Sequence, residues 1–163
     1  MVDVFPTVIY SSMIGMTTIA FLEAFKKPKE RQSTVLKGLL LLLLVHLAGE
    51  LFIYSGAYVY APALAGVQFP FRVLLGPALY FYAHATMSPN KAINRQIWAL
   101  ALSGPVLVIL VMLPFIFVIS PEEKLALANP LTRDPKLWQI AVFTCLSATF
   151  VFILFTVLFL MMA

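Results

Sequence analysis

Five long apolar runs separated by short polar stretches set the pattern along the chain. They cover about Val4–Phe25, Gly38–Tyr60, Pro70–Ser88, Ile97–Ser120 and Leu137–Met162. Each is near the roughly 20 residues with which a helix crosses a hydrocarbon layer about 30 Å thick. The strands of a transmembrane barrel would alternate apolar and polar residues over about 10 positions, whereas Leu39 to Val45 is an unbroken apolar stretch. The pattern predicts an all-α fold: a polytopic transmembrane bundle of about five helices, forming one domain over residues 1–163. Gly76-Pro77 and Gly104-Pro105 recur in the third and fourth runs, but one dipeptide does not make an internal repeat.

Composition agrees with the pattern. Of the 163 residues, 62% are hydrophobic and 11% charged, with a mean hydropathy of +0.98. A soluble domain carries about 25% charged residues because it must wet a large surface; lipid removes that demand. The first run is long enough to span, and Met1-Val2-Asp3-Val4 lacks the basic start of a cleavable signal peptide, so it reads as a mature helix.

The net charge of +4 does not point to nucleic acid, because the basic residues lie in short loops between the runs. Lys26, Lys27, Lys29, Arg31 and Lys37 fall in the first loop, and Lys91 and Arg95 in the third, Ser88–Gln96. The second, Ala61–Phe69, is uncharged, and the fourth, Pro121–Lys136, mixes Lys124, Arg133 and Lys136 with Glu122, Glu123 and Asp134. Lysine and arginine in short loops favour the cytoplasmic side. Loops one and three are therefore expected inside, with the N-terminus outside and the C-terminus in the cytoplasm. Tyr58, Tyr60, Trp98 and Trp138 stand near run ends, as interfacial anchors do.

Ionisable residues inside a span are costly and become functional candidates. Glu50 lies near the middle of the second run, with His46 and Tyr54 four residues to either side and so on one helical face. The third run carries Arg72, Gly76, Tyr80 and His84 at the same spacing. Joined by a short loop, the two helices should be antiparallel neighbours. Counting rise places Glu50 level with Gly76, His46 with Tyr80 and Tyr54 with Arg72, and lets Arg72 reach toward Glu50 or snorkel outward. A polar seam of His46, Glu50, Tyr54, Arg72, Tyr80 and His84 results. Its role stays open between packing glue, a ligand or proton sensor, and a transport path.

Other polar positions read as structural. Glu23 is a solvated helix end beside Lys26 and Lys27. Ser11 with Gly15, and Thr144 with Ala148, are small-residue packing pairs, and Pro77, Pro105 and Pro114 are places where helices kink. Cys145, the single cysteine, has no partner for an intrachain disulfide and reads as a small hydrophobe. The sequence lacks a phosphate-binding glycine loop, a serine nucleophile elbow and a zinc motif. No catalytic residue, metal or cofactor is therefore expected.

The third run reads Phe71-Arg72-Val73-Leu74-Leu75-Gly76-Pro77-Ala78-Leu79-Tyr80-Phe81-Tyr82-Ala83-His84 and closes with Met87-Ser88-Pro89. This stretch resembles the Leu-Gly-Pro-x-Leu-Tyr-x-Tyr segment in the membrane-embedded sensor region of bacterial AraC-type transcriptional regulators, through Leu75, Gly76, Pro77, Leu79, Tyr80, Tyr82 and Ser88-Pro89. In that family a multi-helix hydrophobic part precedes a cytoplasmic helix-turn-helix domain. The match in detail covers about 20 residues, the family's sensor region has about seven helices rather than five, and no helix-turn-helix segment follows within these residues. The resemblance implies a sensor module, truncated relative to a longer regulator or standing alone, in the bacterial inner membrane. Its expected partners are the lipid bilayer, a small hydrophobic ligand and, in a homo-oligomer, further copies, with no direct nucleic-acid contact by this chain. A small transporter or channel subunit and a purely structural membrane subunit are the alternatives.

Overall fold

A computed structural model describes residues 4–127 and 133–162. Residues 1–3, 163 and part of the expected fourth loop, 128–132, lie outside the described set. The fold is an all-α bundle: α1 (Val4–Lys26), α2 (Arg31–Tyr54), α3 (Gln68–Arg72), α4 (Leu75–Met87), α5 (Arg95–Leu113), α6 (Pro121–Leu127) and α7 (Pro135–Met162). Five stretches are long and apolar enough to cross a membrane: Val4–Lys26, Arg31–Tyr54, Pro62–Met87, Arg95–Val118 and Pro135–Met162. Large apolar side chains such as Phe143, Phe150 and Met161 on α7 and Leu110 and Phe117 near α5 are exposed. In water such a surface would aggregate; in a bilayer it is the lipid-facing side of a multi-pass membrane protein.

Several expected boundaries move, each for a local reason. The second helix begins at Arg31 rather than Gly38, because residues 31–37 form two polar helical turns instead of loop. It stops at Tyr54 rather than Tyr60, where Gly56 takes a left-handed φ of 77° that other residues rarely adopt, and two short 3-10 turns follow at Ala57–Val59 and Pro62–Leu64. The third run is broken into α3 and α4. Pro77 has no N–H to donate to the Val73 carbonyl and its ring crowds that oxygen, so the helix restarts at Leu75. The fourth run continues through Pro105 but loosens at Pro114 into a π-helical turn over Pro114–Val118. The loop expected at Pro121–Lys136 contains α6, which a reciprocal cap starts: Ser120 N donates to Glu123 Oε2 at 2.8 Å, and Glu123 N to Ser120 Oγ at 3.3 Å.

The helices α4, α5 and α7 surround the main core. On α7 the buried residues Ala141, Thr144, Ala148, Val151, Phe155 and Phe159 recur every three or four positions, one face of a helix. On α5, Ala101, Gly104, Val108 and Met112 do the same. The helix α4 is buried on most sides, with Tyr80 and Phe81 set edge-on against Phe159, and with Phe81 packed at a 34° tilt on Trp98, centroids 4.3 Å apart. Glycines govern the close approaches. A Cβ on Gly76 would lie 2.8 Å from the Thr156 backbone, and one on Gly104 2.9 Å from the Phe155 ring. The helix α1 packs on α2 and buries only Thr17 and Ala24. Four of its hydroxyls are satisfied within the helix: Ser11, Ser12, Thr17 and Thr18 each donate to the carbonyl four residues back. Of the two small-residue pairs, Thr144 and Ala148 are buried, whereas nothing stands within 4 Å of a Cβ on Gly15.

Candidate functional site

The charged residues of the second and third runs meet. Arg72 Nη1 lies 3.7 Å from Glu50 Oε1, and His46 Nδ1 lies 3.8 Å from the same oxygen. The side chains of Glu50 and His46 are 16% exposed and that of Arg72 is 29% exposed. Arg72 therefore turns toward Glu50 instead of snorkelling outward, and its guanidinium also lies over the Phe152 ring of α7 at 4.7 Å. The cluster ties α2, α3 and α7 together at one point.

Its register differs from the expected one. Glu50 stands 19 residues beyond Arg31 and four before Tyr54, so it is within about 6 Å of the α2 end rather than near its middle. The earlier end of α2, followed by the compact turns of residues 55–67, changes the register of the third run against α2. Glu50 thus meets Arg72, not Gly76. Gly76 faces Thr156 of α7, and the close approach beside Glu50 is made by Gly49, whose Cβ position would fall 2.5 Å from Gln68 Cβ. The expected seam splits into two groups. His46, Glu50 and Arg72 form one, with Tyr54 close by on α2 and stacked on Tyr10 of α1 at 5.4 Å and 10°. Tyr80 and His84 form the other, further along α4, with ring centroids 6.1 Å apart and Tyr80 packed on Phe159.

Separations of 3.7 and 3.8 Å are ion-pair distances, longer than a direct hydrogen bond. His46 Nδ1 and Arg72 Nε are buried and make no hydrogen bond among the described residues; His84 Nδ1 and Thr156 Oγ1 share that condition. His46 and Tyr54 also line a cavity of about 460 Å³ between α1 and α2, walled by Ile9, Tyr10, Leu43 and Leu47. A charged cluster with unsatisfied nitrogens thus sits at the edge of an apolar cavity. No family model, curated protein or solved structure matches the chain.

The remaining polar residues fall into place. Glu23 pairs with Lys26 at 2.6 Å on the surface. Among the described residues, no group of three or more His, Cys, Asp or Glu is placed to hold a metal ion. Sequence reasoning missed Tyr10, Gln68, Phe152 and Thr156, because spacing along one run says nothing about which other helix faces it. It also missed Lys124, counted only as a loop charge. Lys124 is 8% exposed and lies under Phe115, with its Nζ 5.0 Å from the ring centroid.

Proposed function

We propose that the chain is the membrane-embedded sensing module of a bacterial transcriptional regulator in the inner membrane, with loops 27–30 and 88–94 in the cytoplasm. Its His46–Glu50–Arg72 cluster responds to a small or lipid-like signal entering from the membrane. The response passes through the cytoplasmic end of α7 to a DNA-binding domain that these residues do not contain. The observation that supports this reading is the under-satisfied charge beside the cavity. Packing glue favours hydrogen bonds that are complete, since an unsatisfied polar atom in an apolar setting costs free energy. A cluster with orphan nitrogens at His46 and Arg72 can instead gain them from a ligand or a proton, and a group that binds one packing better shifts the balance between two. The helix-turn-helix output and the bacterial membrane rest on the resemblance of residues 71–89.

The test places the full chain ahead of a helix-turn-helix domain and reads transcription from its operator across added amphiphiles and external pH. Glu50→Leu and His46→Phe should insert at the level of the unaltered chain yet lose the response. Responses unchanged in both variants would reduce the cluster to packing. Ion flux in proteoliposomes, abolished by Glu50→Gln, would favour a transporter instead.

A further inference from the structure

A second cavity, of about 580 Å³, lies between the end of α2, the Pro62 turn, α6 and α7. Its wall is largely apolar, from Ile53, Phe115, Leu127 and Val142, with one cation, Lys124. A lysine ammonium is among the groups least often buried without a partner. Lys124 has the Phe115 ring and the Ile116 carbonyl, the latter at 3.4 Å, the long limit of a hydrogen bond. No carboxylate among the described residues lies within 4.0 Å of it, and Glu123 and Asp134 have other roles. Glu123 caps α6 through Ser120, and Asp134 Oδ1 accepts from Lys136 N and Leu137 N at the start of α7. Burial pushes the Lys124 ammonium below its ordinary range, the condition an incoming anion relieves. A further cation is close by, with Arg133 lying over the ring of Trp138, which itself lines the cavity.

We propose that this cavity binds a single-chain anionic amphiphile of the fatty-acid class, with its carboxylate on Lys124 and its hydrocarbon along α2 and α7. The volume falls within the range of small-molecule sites, about 300–1,000 Å³. An apolar wall with one buried cation selects against both a neutral lipid and a bare inorganic anion. The former leaves the ammonium unpaired, and the latter leaves the apolar wall bare. The larger cavity of about 630 Å³ between α2, α4 and α5 lacks this feature, since its one cation, Arg31, already donates to the carbonyls of Pro89 and Lys91. Binding here goes beyond the sensing reading and stands whether or not the chain signals, although Tyr54 borders both this cavity and the one beside His46.

The experiment uses the full chain carrying Trp98→Phe, so that Trp138 is the one remaining tryptophan. A brominated medium-chain fatty acid is titrated in detergent, and quenching of Trp138 is read. Saturable quenching is expected. Lys124→Met should weaken it at least about tenfold and Lys124→Arg about threefold or less, a charged hydrogen bond being at stake in the first and kept in the second. The matching brominated alcohol should bind as weakly as the acid binds to Lys124→Met. Equal binding of acid and alcohol, or of the unaltered site and Lys124→Met, overturns the proposal. So does displacement by inorganic phosphate alone. Quenching blocked by phosphatidylglycerol nanodiscs, and not restored by excess fatty acid, would assign the cavity to a bilayer phospholipid and overturn it as well. Should Lys124→Met not fold, Cys145→Phe, which fills the cavity wall with Lys124 intact, must abolish saturable quenching; quenching that persists refutes the site. Loss of quenching leaves the transcription assay free to succeed or fail independently.

Discussion

Removing Arg72 leaves Glu50 with His46, at 3.8 Å, as its one remaining ion-pair partner among the described residues. Breaking a fully buried pair from one side costs about 3–5 kcal/mol. These side chains keep 16–29% exposure, and polar contacts between membrane helices average well under that figure, so Arg72→Met should cost about 1–3 kcal/mol. Arg72→Lys should recover part of the loss at most, because an ammonium lacks the planar fork that lies over Phe152. In a cycle with Glu50→Gln, the double variant should be less destabilised than the sum of the singles by about 1 kcal/mol, read from denaturation in detergent micelles. Additive losses would show that Arg72 acts through Phe152 alone. That Arg72 could reach Glu50 was one of two readings open in the sequence, the other being the outer interface, since an acid and a base in adjacent apolar runs are each expensive without the other. Their level was not. It depends on where α2 stops, which Gly56 decides through one backbone angle. The buried lysine was illegible for a different reason: among mixed charges in a loop, nothing in the spacing marks Lys124 as the one that a helix folds inward.

Among the elements, the glycines separate tight contacts from open ones. Gly76→Ala drives a methyl to within 2.8 Å of the Thr156 backbone, where nothing can rotate away, and should cost about 1–3 kcal/mol through displacement of α4 from α7. Gly15→Ala has nothing within 4 Å and should be neutral or slightly stabilising. Equal effects in thermal unfolding would mean that α4 and α7 do not meet there. The helix α6 offers a pH-dependent counterpart. The Ser120 backbone N–H, aided by its hydroxyl, holds the Glu123 carboxyl below the usual range. A depressed folded-state pKa gives stability that is present above the ordinary carboxylate value and lost as pH falls through the lowered one. Protection of the α6 amides, taken relative to their intrinsic exchange rate at each pH, should therefore fall on acidification in that window, and fall in Ser120→Ala at neutral pH, where a lost N-cap costs about 0.5–2 kcal/mol. Protection indifferent to both changes would refute the cap. The five apolar spans were legible because hydropathy over about 20 residues integrates away local error. The break before Leu75, the π turn after Pro114 and the helix α6 were not, because each rests on one or two residues whose effect depends on the packing around them.

At the scale of the whole molecule, charge distinguishes the two ends of the bundle. The loops at 27–30 and 88–94 lie at one end, joined by Arg31, whose Nη1 donates to the Pro89 carbonyl at 3.4 Å and to that of Lys91. Lys26, Lys27, Lys29, Lys91 and Arg95 gather there with few acids. The opposite end carries the uncharged turns of residues 55–67 and the mixed charges around α6. Lysine and arginine in short loops resist translocation, whereas mixed and uncharged segments do not, so the basic end is expected in the cytoplasm. Single cysteines in a Cys145→Ser background test this with an impermeant maleimide on intact cells. Lys29→Cys and Lys91→Cys should be protected until the membrane is opened, while Ala63→Cys and Glu122→Cys should label at once. Labelling of Lys29→Cys with protection of Ala63→Cys would invert the orientation, keep the fold, and place the end of α7 outside, where no DNA-binding domain could act. Opposite behaviour of Lys29→Cys and Lys91→Cys would be more serious. The contact of Arg31 with the 88–94 loop requires both loops on one side, so that result would contradict the helix order itself.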